Sequence, residues 1–447
     1  MTADRDLEVD LAIAGGGACG LMTALRAATN PDLSVAVFEK SSREGCNAAI
    51  SSGSLAAGGT RFQRAAGIVD SPEQHAEDIL SESGDEDFRP VIEALCDVAP
   101  EMVEWIADTG YPIEIGADMP RAGMSVPRLH TDVGRQGGAR LMRHLRSLLE
   151  RHDNVAFVDE APVTGLLHDG TTVTGVTIEQ NHETQRVHAD AVILATDGFA
   201  ASPSLFKEYL PHLGNPFYGG VATSTGDALE WSLELGAGLR NMGAALRSGL
   251  VVVDHGTRVS PALQFNGAVL INQEGRRFVD EESKGYSPMA GVLQQQPGER
   301  AAMVWDAAAM DATRESEMMR ECLAAGAIQT AGSATDLANA LRLDDETTRA
   351  ELEPLPGRRA LAAPYYFAWV THGVLTTQGG LAIDTGGRVL RESGEPIPGL
   401  YAGGGTACGL AGPNSDGYLS GNGLLSALGM GWIVGAALGR GGGAPHS

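Results

Sequence analysis

The chain has 447 residues, 43% of them hydrophobic, enough to bury a large core and to divide into two or three domains. Its formal net charge of -25 at pH 7 argues against nucleic acid as a partner, because phosphates repel such a surface unless a basic patch is concentrated on it and the sequence shows none; the total does not exclude a local cationic pocket for a carboxylate. Five cysteines, odd in number and without a CxxC pair, fit a reducing compartment better than a disulfide framework, and the sequence has no cysteine cluster for an iron–sulfur centre and no haem CxxCH. Residues 1–10 carry acids rather than a basic region, and no run of 18 apolar residues follows, so neither export nor membrane insertion is expected and the cytoplasm is the default. The glycine cluster at 441–443, with residues 444–447, reads as a frayed tail.

Residues 10–14 (DLAIA) form a short apolar run of strand type, followed at once by Gly15, Gly16, Gly17, Ala18, Cys19 and Gly20 and then by a helical pattern over 21–28. Strand, tight turn and helix in that order make a dinucleotide-binding unit. Gly15 permits the turn, Gly17 lets the backbone approach a pyrophosphate, and Gly20 lets helix and strand pack closely, leaving the helix N-terminus facing the phosphates. A second strand, 34–38, ends at Glu39, 22 residues after Gly17, where a carboxylate would accept both ribose hydroxyls and argues against the 2′-phosphate of NADP.

Residues 40–60 (KSSREGCNAAISSGSLAAGGT) have few bulky side chains, as expected where backbone lies against a flat ring system. Helical periodicity over 72–80, 90–108 and 137–151 predicts helices covering the sheet. Between them, Arg121, Arg128, His130 and Arg135 read as a solvated loop in preference to a second anion contact. From 155 to 196 strands and turns alternate, with Asp169-Gly170 and Asn181-His182 as turn signals, the pattern of a ribbon feeding the main sheet. Between 243 and 378 the character changes, with strands around 250–253 and 269–272, then helices near 306–325 and 335–343.

The 40–60 segment, together with Leu194-Ala195-Thr196-Asp197-Gly198-Phe199, Ser224-Thr225-Gly226-Asp227-Ala228 and Gly399-Leu400-Tyr401-Ala402-Gly403-Gly404, resembles the FAD-binding family of fumarate reductase and succinate dehydrogenase flavoprotein subunits, which also contains 3-ketosteroid dehydrogenases. The resemblance implies an α/β fold: a discontinuous Rossmann-like FAD-binding domain over 1–243 and 378–447, with an inserted α+β capping domain over 244–377 and the substrate where cap and flavin meet. It places Asn47, Ser51, Ser52 and Gly53 beside the isoalloxazine and Val163 at the adenine. It adds Ala18, Cys19, Lys40, Thr196, Asp197, Gly198, Asp227, Gly404, Gly405, Gly421, Leu424 and Leu425 to the cofactor contacts. No histidine lies between Arg43 and Thr60, where covalently flavinylated members carry one, so the FAD should be non-covalent and removable. Residues 344–359 look shorter than in many relatives and suggest a trimmed cap.

Three family motifs decide the reaction. In the first, 275–286 (GRRFVDEESKGY), Gly285 stands where reductases place a proton-donating arginine, and Tyr286 matches a tyrosine of ketosteroid dehydrogenases. In the second, Thr376 replaces a substrate-binding histidine, and His372 is four residues upstream and out of register. In the third, Tyr418 replaces a carboxylate-binding arginine. Two tyrosines in place of two arginines suggest a ketone, whose oxygen needs hydrogen-bond donors rather than a salt bridge.

The expected chemistry is therefore α,β-desaturation of a cyclic ketone, steroid-like or a smaller oxocyclohexane carboxylate. Tyr418 and N–H groups near Asn422 would polarise the carbonyl, Tyr286 would take the α-proton, and flavin N5 would take the β-hydride. Tyr286 needs a depressed pKa or a relay neighbour, because a phenol ordinarily titrates near pH 10. Arg247 and Ser248 occupy the segment where reductases hold a substrate histidine, and Tyr366, after Pro364, is a further candidate for lining the substrate site, with Tyr365 beside it. The alternatives are the reverse reaction on an α,β-unsaturated acid or ketone, fed by an external electron partner, and a non-catalytic flavin electron carrier.

Overall fold

The computed structural model describes residues 6–116, 121–134, 137–283 and 286–440. It resolves into two compact units: Met1–His212, Gly220–Ala245 and Thr376–Ser447 form the first, Leu213–Gly219 and Leu246–Leu375 the second.

The first unit is built on a parallel sheet. Leu7–Ala14 lies between Val35–Phe38 and Glu183–Leu194, flanked outward by Val155–Val158 and Pro396–Ala402. Leu11 to Ala14 and all of Val35–Phe38 are buried, as in a sheet covered on both faces, which is why these strands read as continuous apolar runs. Parallel pairing brings their carboxyl ends, at Ala14, Phe38, Val158, Leu194 and Ala402, to one edge, the edge at which open α/β sheets bind ligands. The predicted ribbon forms from Val163–His168, Val173–Gln180 and Glu183–Leu194. Its second turn has Asn181 at φ 52° and His182 at φ 66°, the left-handed pair of a tight hairpin that matches strand twist.

The closing helix Asn422–Gly439 packs along the helix Ala18–Ala27. A Cβ at Gly431 would lie 2.6 Å from the Cys19 carbonyl oxygen and one at Gly435 2.5 Å from that of Thr23, so hydrogen in place of side chains lets the two backbones touch. With a mean hydropathy of 1.3 the closing helix is long and apolar enough to cross a membrane, but 56% of it is buried inside this fold as a core element.

The loop after residue 116 leaves Arg121 exposed, as expected of a solvated cluster, but corrects that expectation for Arg128 and His130. Arg128 and His130 are both 0% exposed. Arg128 is held by Asp70 at 2.8 Å and Asp78 at 2.6 Å, and His130 bridges the Thr60 hydroxyl at 2.7 Å and the Leu55 carbonyl at 3.2 Å. Charge buried here is tolerated because it is paired. Arg135 lies outside the described residues. Burial drives His75 down to about 3 and His130 down to about 4, so the folded state keeps both neutral while the unfolded chain protonates them near pH 6.5. Stability from these groups is whole above pH 6.5 and is lost as pH falls toward 4 and below. The denaturant midpoint of the protein is expected to drop steadily between pH 6.5 and 4; a flat midpoint over that range contradicts this assignment.

The second unit centres on a mixed sheet in which the long strand Tyr365–Thr377 pairs with Arg300–Asp306, Ala245–Val252, Gln329–Ala331 and Phe217–Tyr218, while Val269–Asn272 pairs with Arg300–Asp306. Alternate side chains divide between two cores, Met303, Trp305, Ala368 and Val370 on one face and Ala302, Val304 and Phe367 on the other. The helices expected near 306–325 are two short ones, Ala307–Thr313, capped by the Asp306 carboxylate, and Glu317–Ala324. The 344–359 segment contributes one helix, Asp345–Glu351, and then Arg358 and Arg359, which pair with Asp280 at 3.1 Å and Asp306 at 2.9 Å.

Candidate active site

At the carboxyl edge of the first unit's sheet, Leu7–Ala14 runs into the glycine turn. A Cβ at Gly20 would lie 1.9 Å from the Gly15 carbonyl oxygen and one at Gly15 2.3 Å from that of Ala195, so neither position admits a side chain. Gly17 differs: its nearest neighbour would be the Cys46 Cβ at 3.7 Å, which leaves open space before the helix N-terminus. No side chain caps that helix. Its unpaired N–H groups and dipole suit a pyrophosphate. Glu39, at the end of the second strand, accepts the Gly16 N–H at 2.7 Å and the Ser41 N–H at 2.9 Å. Val163 is buried at the start of its strand. Burial pushes the thiols of Cys19 and Cys46, which flank the turn, up to about 12 and about 11, so neither is a nucleophile at neutral pH.

Two polar knots join distant segments around this edge. The Lys40 ammonium donates to Asp227 at 2.9 Å and to Thr225 at 2.9 Å. The Asn47 amide donates to Asp197 at 2.5 Å and to Ser224 at 3.1 Å, while its oxygen accepts the Val221 N–H at 3.1 Å. Asn47 thus ties the 46–53 segment to two others. Asp197 sits at φ 67°, a left-handed conformation that favours glycine, and a Cβ at Gly405 would lie 2.3 Å from its carboxylate. Thr196 meets Thr406 hydroxyl to hydroxyl at 3.3 Å, and a Cβ at Gly198 would strike the Thr377 hydroxyl. Ser51 accepts the Gly53 N–H at 3.1 Å, and Ser52 pairs with Ser54 at 3.0 Å. Ser224 and Thr225 belong to the motif that carries the resemblance, and the structure adds their hydrogen bonds; Thr406 was not singled out by sequence.

At the mouth of the closing helix, Gly421 is the N-cap at φ 90°, and Leu424 and Leu425 are buried behind it. Asn422 is 1% exposed, and neither its amide nitrogen nor its oxygen has a partner among the described residues. A buried amide without partners is costly unless a ligand satisfies it. The Tyr418 hydroxyl oxygen accepts the Gly423 N–H at 3.0 Å. One of the N–H groups expected to meet a substrate carbonyl therefore serves the tyrosine. Thr376 accepts from the Gln378 amide at 3.4 Å.

In the second unit, Arg247 is 5% exposed on the strand Ala245–Val252 and donates to the Gln294 side-chain oxygen at 2.7 Å. Ser248 is buried beside it, its hydroxyl accepting the Leu250 N–H at 3.4 Å. Tyr366 is partly buried and stacks on Trp305, with ring centroids 6.5 Å apart, against one of the two cores. Tyr286 opens the helix Tyr286–Gln294, and its side chain lies outside the described residues.

These residues fit FAD: an uncapped helix with open space at Gly17, a carboxylate at Glu39 at the end of the second strand, and an orphaned amide at Asn422. Glu39→Gln is expected to lower FAD affinity about tenfold or more, measured as flavin fluorescence on titrating apoprotein; full retention through gel filtration contradicts the assignment.

The family described as FAD binding domain matches residues 10–424. The chain is 28% identical over 446 residues to the NADH:fumarate oxidoreductase of Klebsiella pneumoniae (strain 342), covering 95% of this chain and 47% of that protein. It is 29% identical over 452 residues to a fumarate reductase (cytochrome) of Shewanella frigidimarina, covering 96% and 76%. The chain therefore spans about half the length of the first relative and three quarters of the second. The open conformation of a flavocytochrome c3 fumarate reductase matches with a TM-score of 0.84 at 23% identity, over 98% of this chain and 79% of that one. A 3-ketosteroid-delta4-(5alpha)-dehydrogenase from Rhodococcus jostii, in complex with 4-androstene-3,17-dione, matches at 0.77 with 23% identity, over 98% of each. At these identities the structural matches show a shared fold.

Proposed function

The chain belongs to the FAD binding domain family, and on that premise we propose that it is an FAD-dependent oxidoreductase acting on the carbon–carbon bond beside a carbonyl, in the direction of desaturating a cyclic ketone. Bound FAD supplies the hydride acceptor. The observation that carries the reading is Tyr418: a neutral phenol stands at the mouth of the closing helix, its oxygen fixed by the Gly423 N–H, where reductases of this family use an arginine. A carboxylate needs a cation at such a point. A ketone oxygen, which gains charge only as the α-proton leaves, is served by a neutral donor and by the positive end of the helix. Tyr286 is assigned the α-proton, and Asn422 the polar edge of the flavin or substrate.

A second reading, reduction of an α,β-unsaturated acid or ketone, is favoured by Arg247, a buried cation of the kind a substrate carboxylate requires, and by relatives named as fumarate reductases. Anaerobic mixing separates the two. Bleaching of oxidised flavin by a saturated cyclic ketone supports desaturation. Reoxidation of reduced flavin by an enoate, with no bleaching by any ketone, overturns it in favour of the reductase, and silence with both leaves only an electron carrier.

A further inference from the structure

Open α/β sheets bind a dinucleotide across the strand that carries the glycine turn, so its two halves fall on opposite sides of that strand. Glu39, assigned to the ribose, follows the strand Val35–Phe38 on one side of Leu7–Ala14. On the other side stand Glu183–Leu194 and Pro396–Ala402, whose carboxyl ends run into Asp197 and into Gly404 and Gly405. We propose that Asp197 is a positioning residue for the flavin half: its carboxylate pins the 46–53 segment and the 221–225 stretch into the arrangement that receives the ring system. The inference rests on the FAD-dependent reading above.

One carboxylate oxygen of Asp197, Oδ2, accepts both the Asn47 amide at 2.5 Å and the Ser224 hydroxyl at 2.6 Å. The Asn47 amide also reaches the Ser224 hydroxyl at 3.1 Å, which closes a ring of three side chains. From there the Asn47 oxygen takes the Val221 N–H at 3.1 Å. The backbone carbonyl of Asp197 accepts the Thr406 hydroxyl at 3.2 Å, so partners 150 and 209 residues away in the chain meet at one aspartate. A charged acceptor makes such hydrogen bonds shorter and roughly twice as strong as neutral ones.

The segments joined in this way border the glycine turn. Ala195, two residues before Asp197, presses its carbonyl oxygen against Gly15, where a Cβ would lie 2.3 Å from it. Cys46, the residue before Asn47, supplies the nearest atom to the open space at Gly17, and a Cβ at Gly404 would lie 3.3 Å from the Cys19 Cβ in the first turn of the helix. The clamp therefore forms part of the wall of the space in front of the helix N-terminus, on the side away from Glu39.

Asp197 holds this position at a conformational cost, since φ is 67° and glycine would adopt that angle without strain. The aspartate is thus present for its carboxylate and not for its backbone. Gly405 completes the fit: a Cβ there would lie 2.3 Å from Oδ1, so the carboxylate fills the space that a side chain at 405 would need. A strained non-glycine residue whose side chain ties a ligand-bordering segment in place is the kind of outlier that functional sites retain.

The test titrates the full chain, stripped of flavin, with FAD by fluorescence and with ADP by competition, in Asp197→Gly, Asn47→Ala, the double variant and Asp197→Asn. Asp197→Gly and Asn47→Ala should each weaken FAD binding about tenfold or more and leave ADP binding within about twofold, because the Glu39 side is untouched. The double variant should bind FAD no more weakly than the weaker single one, as expected of two partners in one interaction. Asp197→Asn, which tolerates the left-handed angle and keeps an acceptor, should restore most of the affinity. Should Asp197→Gly fail to fold, Ser224→Ala removes another arm of the clamp and carries the same expectation. Wild-type FAD affinity in the single variants overturns the proposal, as do additive losses in the double variant or equal losses of FAD and ADP. A wild-type chain that takes up no FAD sinks the flavoprotein reading itself, whereas tight FAD binding that ignores these substitutions sinks only the clamp.

Discussion

Tyr418→Phe is expected to slow flavin reduction by a saturated cyclic ketone about a hundredfold or more while FAD stays bound, the usual consequence of deleting one donor to a developing oxyanion. The substitution also removes the acceptor of the Gly423 N–H, a part-buried group. That loss is worth about 1 kcal/mol and should cost only a few degrees of thermal stability. Rate and stability thus separate: a large kinetic loss with a small shift in melting temperature identifies a donor to substrate, whereas a wild-type rate with the same small shift makes Tyr418 a helix cap and nothing more. Tyr418→Arg is informative in the opposite sense, since it rebuilds the cation of the reductases and should favour an enoate carboxylate over a ketone.

Gly20→Ala is expected to abolish FAD retention and to lower stability severely. The added Cβ would lie 1.9 Å from the Gly15 carbonyl oxygen, a backbone atom of the turn itself, so no rotamer change can relieve it. Helix and strand must separate, and the turn that faces the pyrophosphate goes with them. Gly17→Ala provides the contrast. Its Cβ would meet nothing closer than the Cys46 Cβ at 3.7 Å, so the apoprotein should fold normally and lose affinity because the methyl occupies space meant for phosphate. Circular dichroism with flavin titration distinguishes the two; equal FAD binding by Gly17→Ala and wild type would show that the space before the helix is not the phosphate site.

The nucleotide end was legible in the sequence because its requirements are local. The strand–turn–helix at 7–27, the carboxylate at Glu39 and the hairpin at Asn181-His182 each follow from the conformational needs of a few adjacent residues. What the sequence concealed depends on contacts far along the chain. Arg128 reads as a solvated cation until Asp70 and Asp78, 58 and 50 residues away, are brought to it by the fold. The long strand Tyr365–Thr377 was hidden behind its motif residues, and only the fold shows its two-faced packing, with Tyr366 stacked on Trp305. Asn47 was placed beside the ring system by resemblance, and its geometry adds what resemblance could not: its amide is committed to Asp197 and Ser224, so it acts by fixing the segment that carries it.

The central claim is tested most directly by mixing oxidised holoenzyme, without oxygen, with a saturated cyclic ketone and the same compound deuterated at the β-carbon. Flavin bleaching with one enone formed per flavin, slowed several-fold by the deuterium, is the expected result. Bleaching that yields no enone, or none at all beside rapid reoxidation of the reduced protein by an unsaturated acid, would contradict it.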